Sequence, residues 1–486
     1  MNRWKIPDMK VNILTLTGAI FLPLAPFALD AVQDTETTFT SPNGVVERCV
    51  RIAPIPGGDY SEDDVEEEEG YCAIDFYAPT VALCPKTWST SPGTIVYDIS
   101  AGPYANDRTE FERNACKEGK SAKDLAEDVL AHYKVTMNQL ETSGTFSQSS
   151  LLYYHFSRYF GMDVKVPVAV WRTMDSRMHL SEVAEPGLAI SGHNDSGRMN
   201  HEGWRYLVAA DESPASYSPT DDIFTPDRTQ LYGVLLSSPG SRYGSEMNGT
   251  RKSGWGRGQN EDFQRTPAYL ALRSPLPLEE AIDHGLAEGR EDRMIARDLG
   301  RDVPPQQMAY WMRELSEIVL LDYIFSQQDR VGNIDFTPYY YWLEAGEQKH
   351  RQARHHAPGD GDVPQGALLL RRTNLNDNDA GGRVQYTNFA KSTQMLEKLR
   401  HFDGAIYHKL MALDADLQSQ GPIYQWTASR LGLDARQVRQ IVNNTSLAAG
   451  ILSASCRRGD LVFDLDPKRF FETGSVIPDD LSCDGS

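Results

Sequence analysis

The sequence predicts an α+β protein, β-rich toward its N-terminus and mainly helical toward its C-terminus. Three observations carry that prediction. Within residues 32–120, short runs of strand formers (Val45–Ile52, Tyr71–Tyr77, Gly93–Ile99) are separated by Pro and Gly. From Met308 a long helix is written, with Met308, Trp311, Met312, Leu315, Ile318, Val319 and Tyr323 recurring at helical spacing. From Thr393 to Ser453 the pattern is helical again, through Met395, Leu396, Leu399, Phe402, Ile406, Leu410 and Leu413 and then Gln425–Leu431 and Ala435–Ser453.

At 486 residues the chain is long enough for one large two-lobed core or two domains. An apolar content of 40% with 22 tyrosines is a globular composition. The net charge of −20 excludes nucleic acid as a partner, because neutralising phosphates needs a basic surface. Residues 1–31 read as a signal peptide or an N-terminal anchor. Arg3, Lys5 and Lys10 form the basic front, and Ala28 and Ala31 offer cleavage positions. The mostly apolar run 11–29 is also about long enough to act as a membrane tether. The expected location is therefore periplasmic or extracellular. Six cysteines agree: Cys49, Cys72, Cys84, Cys116, Cys456 and Cys483 are even in number and lack the close spacing of a zinc site. Cys456 and Cys483 are expected to staple the tail, and the first four to pair among themselves in an order the sequence leaves open.

The elements follow in chain order. Residues 32–240 are expected to form the β-rich N-terminal region, 241–300 a polar insertion and linker, and 301–486 the helical C-terminal part. The acidic run Glu62–Glu69 reads as a solvated, self-repelling loop. Ser121–Gln139 is ambiguous, with Leu125, Val129 and Leu130 spaced for a helix and Tyr133–Met137 alternating like a strand. Leu151, Leu152, Tyr154, His155 and Tyr159 pattern a helix that Gly161 ends, and Val164–Trp171 reads as a strand. Residues 191–265 are polar and rich in Gly, Ser and Asn. Within them Gly254-Trp-Gly-Arg-Gly258 reads as a mobile substrate or lid loop, since no strand precedes it and no helix is expected after it.

The helix from Met308 runs out at Ser326-Gln-Gln and delivers Asp329, Arg330 and Asn333 in one short loop. A strand-like run, Ile334–Trp342, follows, and the basic tract Lys349–His356 reads as a solvated hairpin tip. Gly366–Arg372 is a further short strand, broken by Leu375-Asn-Asp-Asn-Asp-Ala-Gly-Gly382.

That order, a buried helix, Asp-Arg-x-x-Asn, a hairpin, a strand and then Asp-Asn-Asp beside paired glycines, resembles the atypical kinases of the protein-kinase-like fold. These include the phosphatidylinositol kinases, the spore-coat kinases and the secretory-pathway kinases of the Golgi casein-kinase type. The resemblance covers roughly residues 130–415. It implies a two-lobed kinase-like fold and transfer of a phosphoryl group from ATP or another nucleotide to a hydroxyl acceptor. Asp329 takes the place of the catalytic base, and Arg330 would orient its loop through a carboxylate or a phosphate. Asn333 and Asp377 would hold the metal, with Asp379 competing for the role of Asp377. Lys134 would steady the nucleotide phosphates, as a compact charge on a positionable stem. Oxygen ligands of this kind imply magnesium or manganese.

The chain also departs from that pattern. The Asp-to-Asn gap is four residues where typical protein kinases have five, and neither His-Arg-Asp nor Asp-Phe-Gly occurs. No Glu partner for Lys134 stands on the following helix; Glu141 precedes it and Arg158 lies within it. A catalytically inactive kinase-fold binding or scaffold protein of the cell envelope therefore stays open beside the enzyme. An exported hydrolase has less behind it, because neither Gly-x-Ser-x-Gly nor His-Glu-x-x-His is present.

Overall fold

Seven short strands from the first half of the chain pair into one antiparallel sheet, and a second, smaller sheet is set among helices. The computed structural model describes residues 33–137, 144–192, 195–215, 223–353 and 363–483. The unit that carries the site runs from Asp34 onward. The leader expected at 1–31 lies outside the described residues. Among those described, no helix is long and apolar enough to cross a membrane.

The large sheet comprises β1 (Thr35–Thr40), β2 (Val46–Arg51), β3 (Val81–Pro85), β4 (Thr94–Asp98), β5 (Asp128–Val135), β6 (Ala169–Asp175) and β7 (Gln230–Leu236). Their order across the sheet is β1-β2-β6-β7-β5-β4-β3. β5 therefore sits inside the sheet, paired with β4 on one side and β7 on the other, with Lys134 opposite Val234. Side chains alternate across a strand. Tyr133 accordingly packs on Phe76, ring centroids 5.5 Å apart, while Lys134 points to the other face. The second sheet contains β8 (Ser241–Arg242), β9 (Asp335–Glu344), β10 (Glu347–Gln352) and β11 (Leu368–Asn374), with β9 bonded to β8, β10 and β11.

The helix Pro305–Phe325 is the hub. The sequence gives it one apolar face, yet almost every residue is buried, charged ones included. Its polar face is turned to neighbouring chain instead of water. Glu314 accepts from Arg372 Nε at 2.5 Å and from Thr373 Oγ1 at 2.6 Å, fixing β11 along the helix. Glu317 accepts from the backbone N–H groups of Asp163 (3.0 Å) and Val164 (2.7 Å), and pairs with Arg313. Breaking a buried pair of this sort leaves an uncompensated charge and costs about 3–5 kcal/mol. The helix is thus locked on both its apolar and its polar side, which fixes the loop that leaves it.

Three disulfides close the fold: Cys49–Cys72, Cys84–Cys116 and Cys456–Cys483. The tail staple and the pairing within the first four are as expected, and the connectivity is now defined.

Several expectations are corrected. The acidic run is not a loop but the start of the helix Glu62–Cys72, which also absorbs the front of the strand expected at Tyr71–Tyr77. Ser61 and Asp64 form a capping box at its N-terminus, where acidic residues also suit the helix dipole. Ser121–Gln139 resolves into a 3₁₀ segment (Ala115–Leu125) and then β5; its last two residues lie outside the described ones. The strand expected at Val164–Trp171 begins only at Ala169; the segment before it lies along β11, with Lys165 N–H donating to Thr373 C=O at 3.0 Å. The polar stretch 191–265 contains a long helix, Asp195–Glu212, and the interior strand β7. Residues 241–300 are mostly helical, through Ser245–Asn248, Arg257–Phe263, Pro267–Leu272, Leu278–Gly289 and Arg293–Leu299. The Gly254–Gly258 segment does open a helix, at Arg257. The basic tract from Lys349 is a strand paired with β9 and not a tip; its residues 354–356 lie outside the described ones.

Candidate functional site

The helix Pro305–Phe325 ends at Ser326, whose backbone is left-handed (φ 56°), so the chain turns sharply out of the core. The turn is pinned by amides: Asn388, Gln440 and Asn444 each donate to Ser326 Oγ, at 3.2, 3.1 and 3.0 Å. Beyond it Gln327 works in two directions. Its Oε1 accepts from the Asp329 N–H at 3.1 Å, and its Nε2 donates to the Asp377 carbonyl at 3.3 Å. One side chain therefore ties the loop carrying Asp329 to the loop carrying Asp377.

Asp377 follows β11 and is itself left-handed (φ 53°), a region that Asp enters more readily than most residues. The short 3₁₀ turn Asn378–Ala380 behind it is clamped from two sides. Phe146 N–H donates to Asp379 C=O at 2.7 Å and Ser149 Oγ to Asn378 C=O at 2.6 Å, while Gln328 N–H donates to Ala380 C=O at 3.0 Å.

These segments meet at a polar cavity of about 310 Å³ lined by Lys86, Lys120, Lys134, Arg242, Asp329, Asn333, Asp377 and Asp379. Residues Trp88–Pro92, in the hairpin loop between β3 and β4, form its other wall. Lys134 Nζ bonds Asp377 Oδ1 at 3.2 Å and Asp379 Oδ2 at 3.1 Å. Asn333 Nδ2 donates to the Asp329 carbonyl at 2.7 Å and reaches Asp329 Oδ2 at 3.4 Å. Trp255 Nε1, from the Gly-flanked segment, donates to Asp329 Oδ1 at 3.3 Å. Lys134, Asp329, Asn333, Asp377 and Asp379 are thus brought together from three separate stretches of chain.

Arg330 is not at the cavity. It points beneath it, where its guanidinium bonds Asp322 at 3.0 Å, the Asn376 carbonyl at 2.8 Å and Asn378 Oδ1 at 2.8 Å. The carboxylate it bonds is that of Asp322.

The electrostatics follow from burial among mixed charges. Burial pushes the Asp329 carboxyl up, to about 6; Asp377 and Asp379 add to the rise, and the Trp255 N–H opposes it. Burial acts on Asp377 in the same sense, but Lys134, Lys86 and Arg242 outweigh it and hold that carboxyl well below the usual range. Burial also opposes the charge on Lys134, and Asp379 with Asp377 more than compensates, raising it. Lys86 goes the other way, lowered first by burial and then by the charge of Lys134. One carboxylate is therefore kept ionised and another close to neutral pH, a separation typical of groups with different tasks.

The donor set suits a hard divalent cation. Asn333 Oδ1 and Asp377 Oδ2 both already accept from one guanidinium, that of Arg242, at 2.5 and 3.2 Å. Among the described residues no three His, Cys, Asp or Glu side chains converge tightly enough to hold an ion by themselves. Two carboxylates and an amide completed by phosphate oxygens and water is the usual arrangement for magnesium.

Sequence reasoning missed Lys86, Arg242 and Gln327 as members of this site, and it marked the segment of Trp255 as a substrate or lid loop without singling out the Trp. The hairpin loop had a signal, an apolar run at Val81–Pro85 followed by a Ser/Pro/Gly stretch and a second strand. Arg242 had none, since nothing near it in sequence marks it.

No protein family and no curated protein matches the chain. Among solved structures it is similar to a crystal structure of the Golgi casein kinase with Mn and ADP bound, at 10% sequence identity and a TM-score of 0.40, over 83% of this chain and 79% of that one. An overlap that loose adds nothing to the side-chain geometry, on which the functional reading stands alone.

Proposed function

We propose that the chain is an exported, metal-dependent phosphotransferase that moves a phosphoryl group from a nucleotide to a hydroxyl acceptor. The single observation that carries this is the convergence of Lys134, Asp329, Asn333, Asp377 and Asp379 on one cavity. The chain order supports it too. A β-hairpin overhangs the cavity, the strand next to it carries the Lys, and a helix–loop–hairpin–strand run supplies the acids, as the parts of kinase sites are arranged.

In this reading Asp377, with Asn333 and Asp379, holds magnesium or manganese, which when bound offsets the negative charge of the nucleotide phosphates. Lys134 bonds a phosphate oxygen in addition to its carboxylates, and Lys86 adds a second positive charge from the hairpin. Asp329 accepts the proton of the acceptor hydroxyl as its oxygen bonds to phosphorus and the bond to the leaving phosphate oxygen breaks. A base held near 6 is ionised at neutral pH yet basic enough to take that proton. Three disulfides fit an oxidising compartment, so export, with residues 1–31 as leader or tether, belongs to the proposal.

The test is Asp329→Asn. Turnover should fall by roughly two to four powers of ten, the contribution of a positioned general base, while nucleotide affinity stays close to that of wild type. Equal turnover in the variant would remove Asp329 from the mechanism.

A second reading, a nucleotide-binding scaffold without transfer, is favoured by one observation. No Glu from the helix Ser147–Phe160 reaches Lys134; that helix offers Gln148 in its first turn, bonded to Thr136 at 3.3 Å. Nucleotide binding with no transfer to protein, sugar or lipid acceptors would establish this reading instead.

A further inference from the structure

One guanidinium bonds two of the oxygens that would hold the proposed metal. Arg242 stands on β8, a two-residue edge strand bonded to β9, so its backbone is fixed at the cavity mouth. Its Nη1 bonds Asn333 Oδ1 at 2.5 Å and also the Gly332 carbonyl. Its Nη2 bonds Asp377 Oδ2 at 3.2 Å, and its Nε pairs with Asp335 Oδ1 at 2.5 Å. Two of these acceptors, Asn333 Oδ1 and Asp377 Oδ2, are the oxygens through which those residues would bind a cation. A carboxylate oxygen offers limited lone-pair directions, and two cations on the same oxygen pair repel. Guanidinium and metal therefore compete.

The side chain is also free to leave. It is 43% exposed, whereas that of Lys134 is 8% exposed and held by two carboxylates. Arg242 lines the cavity with Lys86 and Lys134, so a phosphate seated there lies within its swing. A planar guanidinium matches a phosphate with paired hydrogen bonds at least as well as it matches an amide and a carboxylate on different loops.

We infer that Arg242 is a resident cation exchanged on loading: it bridges Asn333 and Asp377 in the nucleotide-free protein, then yields that bridge to the divalent metal and turns to a nucleotide phosphate. This rests on the metal–nucleotide reading of the same cavity. It adds a consequence of unusual sign, because removing a positive charge should affect the two ligands oppositely. The bond to be exchanged with Asp377 is a part-exposed pair of 3.2 Å that contributes little, while the shorter Nε pair with Asp335 can hold the base of the side chain in place. A purely structural Arg242 would instead loosen the site when removed and weaken both ligands together.

The experiment is calorimetric titration of the full chain with manganese chloride alone, and then with ADP at saturating manganese. Wild type is compared with Arg242→Gln and with Arg242→Lys, which keeps a charge and protects against a folding defect. Arg242→Gln should bind manganese about two- to fivefold more tightly than wild type, the worth of a half-exposed ion pair. It should bind ADP more weakly, and Arg242→Lys should fall between on both scales. Unchanged or weaker manganese binding in both variants overturns the exchange while leaving the metal site standing. If wild type and variants all fail to bind manganese, the exchange falls together with the reading beneath it.

Discussion

Arg330 and Arg242 lie on opposite sides of the same catalytic-loop candidate, and their difference separates the floor of the site from its mouth. Both bond an Asp carboxylate and the loops that carry the proposed metal ligands. Arg330 is 4% exposed, and its acceptors (Asp322, the Asn376 carbonyl, Asn378) all belong to the packed helix or the β11 loop. Tyr153 completes the floor, its hydroxyl donating to Asp322 at 2.7 Å. Arg242 bonds Asn333 and Asp377 in half-open solvent, where water replaces either bond if it is lost. The same residue type is a strut in one place and exchangeable in the other, and burial decides which.

The largest expected effect is at the floor. Arg330→Ala leaves Asp322 buried without its charged partner and should cost about 3–5 kcal/mol in denaturant unfolding, with nucleotide binding lost as the Asp377 loop loosens. A cost below about 1 kcal/mol would mean that the floor is wet and the contrast with the mouth is unfounded.

The pH profile comes next in size. In the proposed mechanism Asp329 acts only when unprotonated, and burial first, then Asp377 and Asp379, raise its pKa to about 6. Below that pH, kcat/KM should fall about tenfold per unit, because the unprotonated fraction of the free protein falls tenfold per unit. A rate flat down to pH 5 would place the base elsewhere. Arg242→Gln should be the mildest in stability, less than about 1 kcal/mol, since an exposed pair contributes little. Its signature is the opposed change in manganese and ADP affinity.

The same contrast explains what the sequence disclosed. The floor was legible because packing leaves periodicity: the apolar recurrence from Met308 to Tyr323 marked the buried helix and therefore the loop it delivers. The order of that loop, β9 and β11 was legible too, and the tail disulfide was legible for a different reason, the even number and the grouping of the cysteines. Its polar side was not, because Glu314 and Glu317 look solvent-facing until their partners on β11 and at Asp163–Val164 are known. β7 was hidden by composition. Gly233 reads as a breaker, but a Cβ there would clash with the Tyr133 ring on the neighbouring strand, so tertiary contact dictates the glycine. The acidic helix was hidden because its neutralisation is non-local: Arg158, from another helix, bonds Asp64 at 2.6 and 3.0 Å. At the mouth Lys134, Asp329, Asn333, Asp377 and Asp379 were legible from the order of their motifs, whereas the side chains that close over them were not. Trp255 and Arg242 reach the site across 74 and 91 residues of chain, to Asp329 and Asn333, and no local pattern records such a contact.

The central claim is that the mouth is a metal–nucleotide site, and the most direct test is ADP binding by calorimetry, with and without manganese, for wild type and Asp377→Asn. Asp377 is held ionised by Lys134, Lys86 and Arg242 against the effect of burial, as a metal ligand at neutral pH needs to be. Wild type should bind ADP at least about tenfold more tightly with manganese than without, and Asp377→Asn should lose most of that gain, as loss of a metal ligand typically does. Manganese-independent ADP binding, or a full manganese effect in Asp377→Asn, would contradict the account.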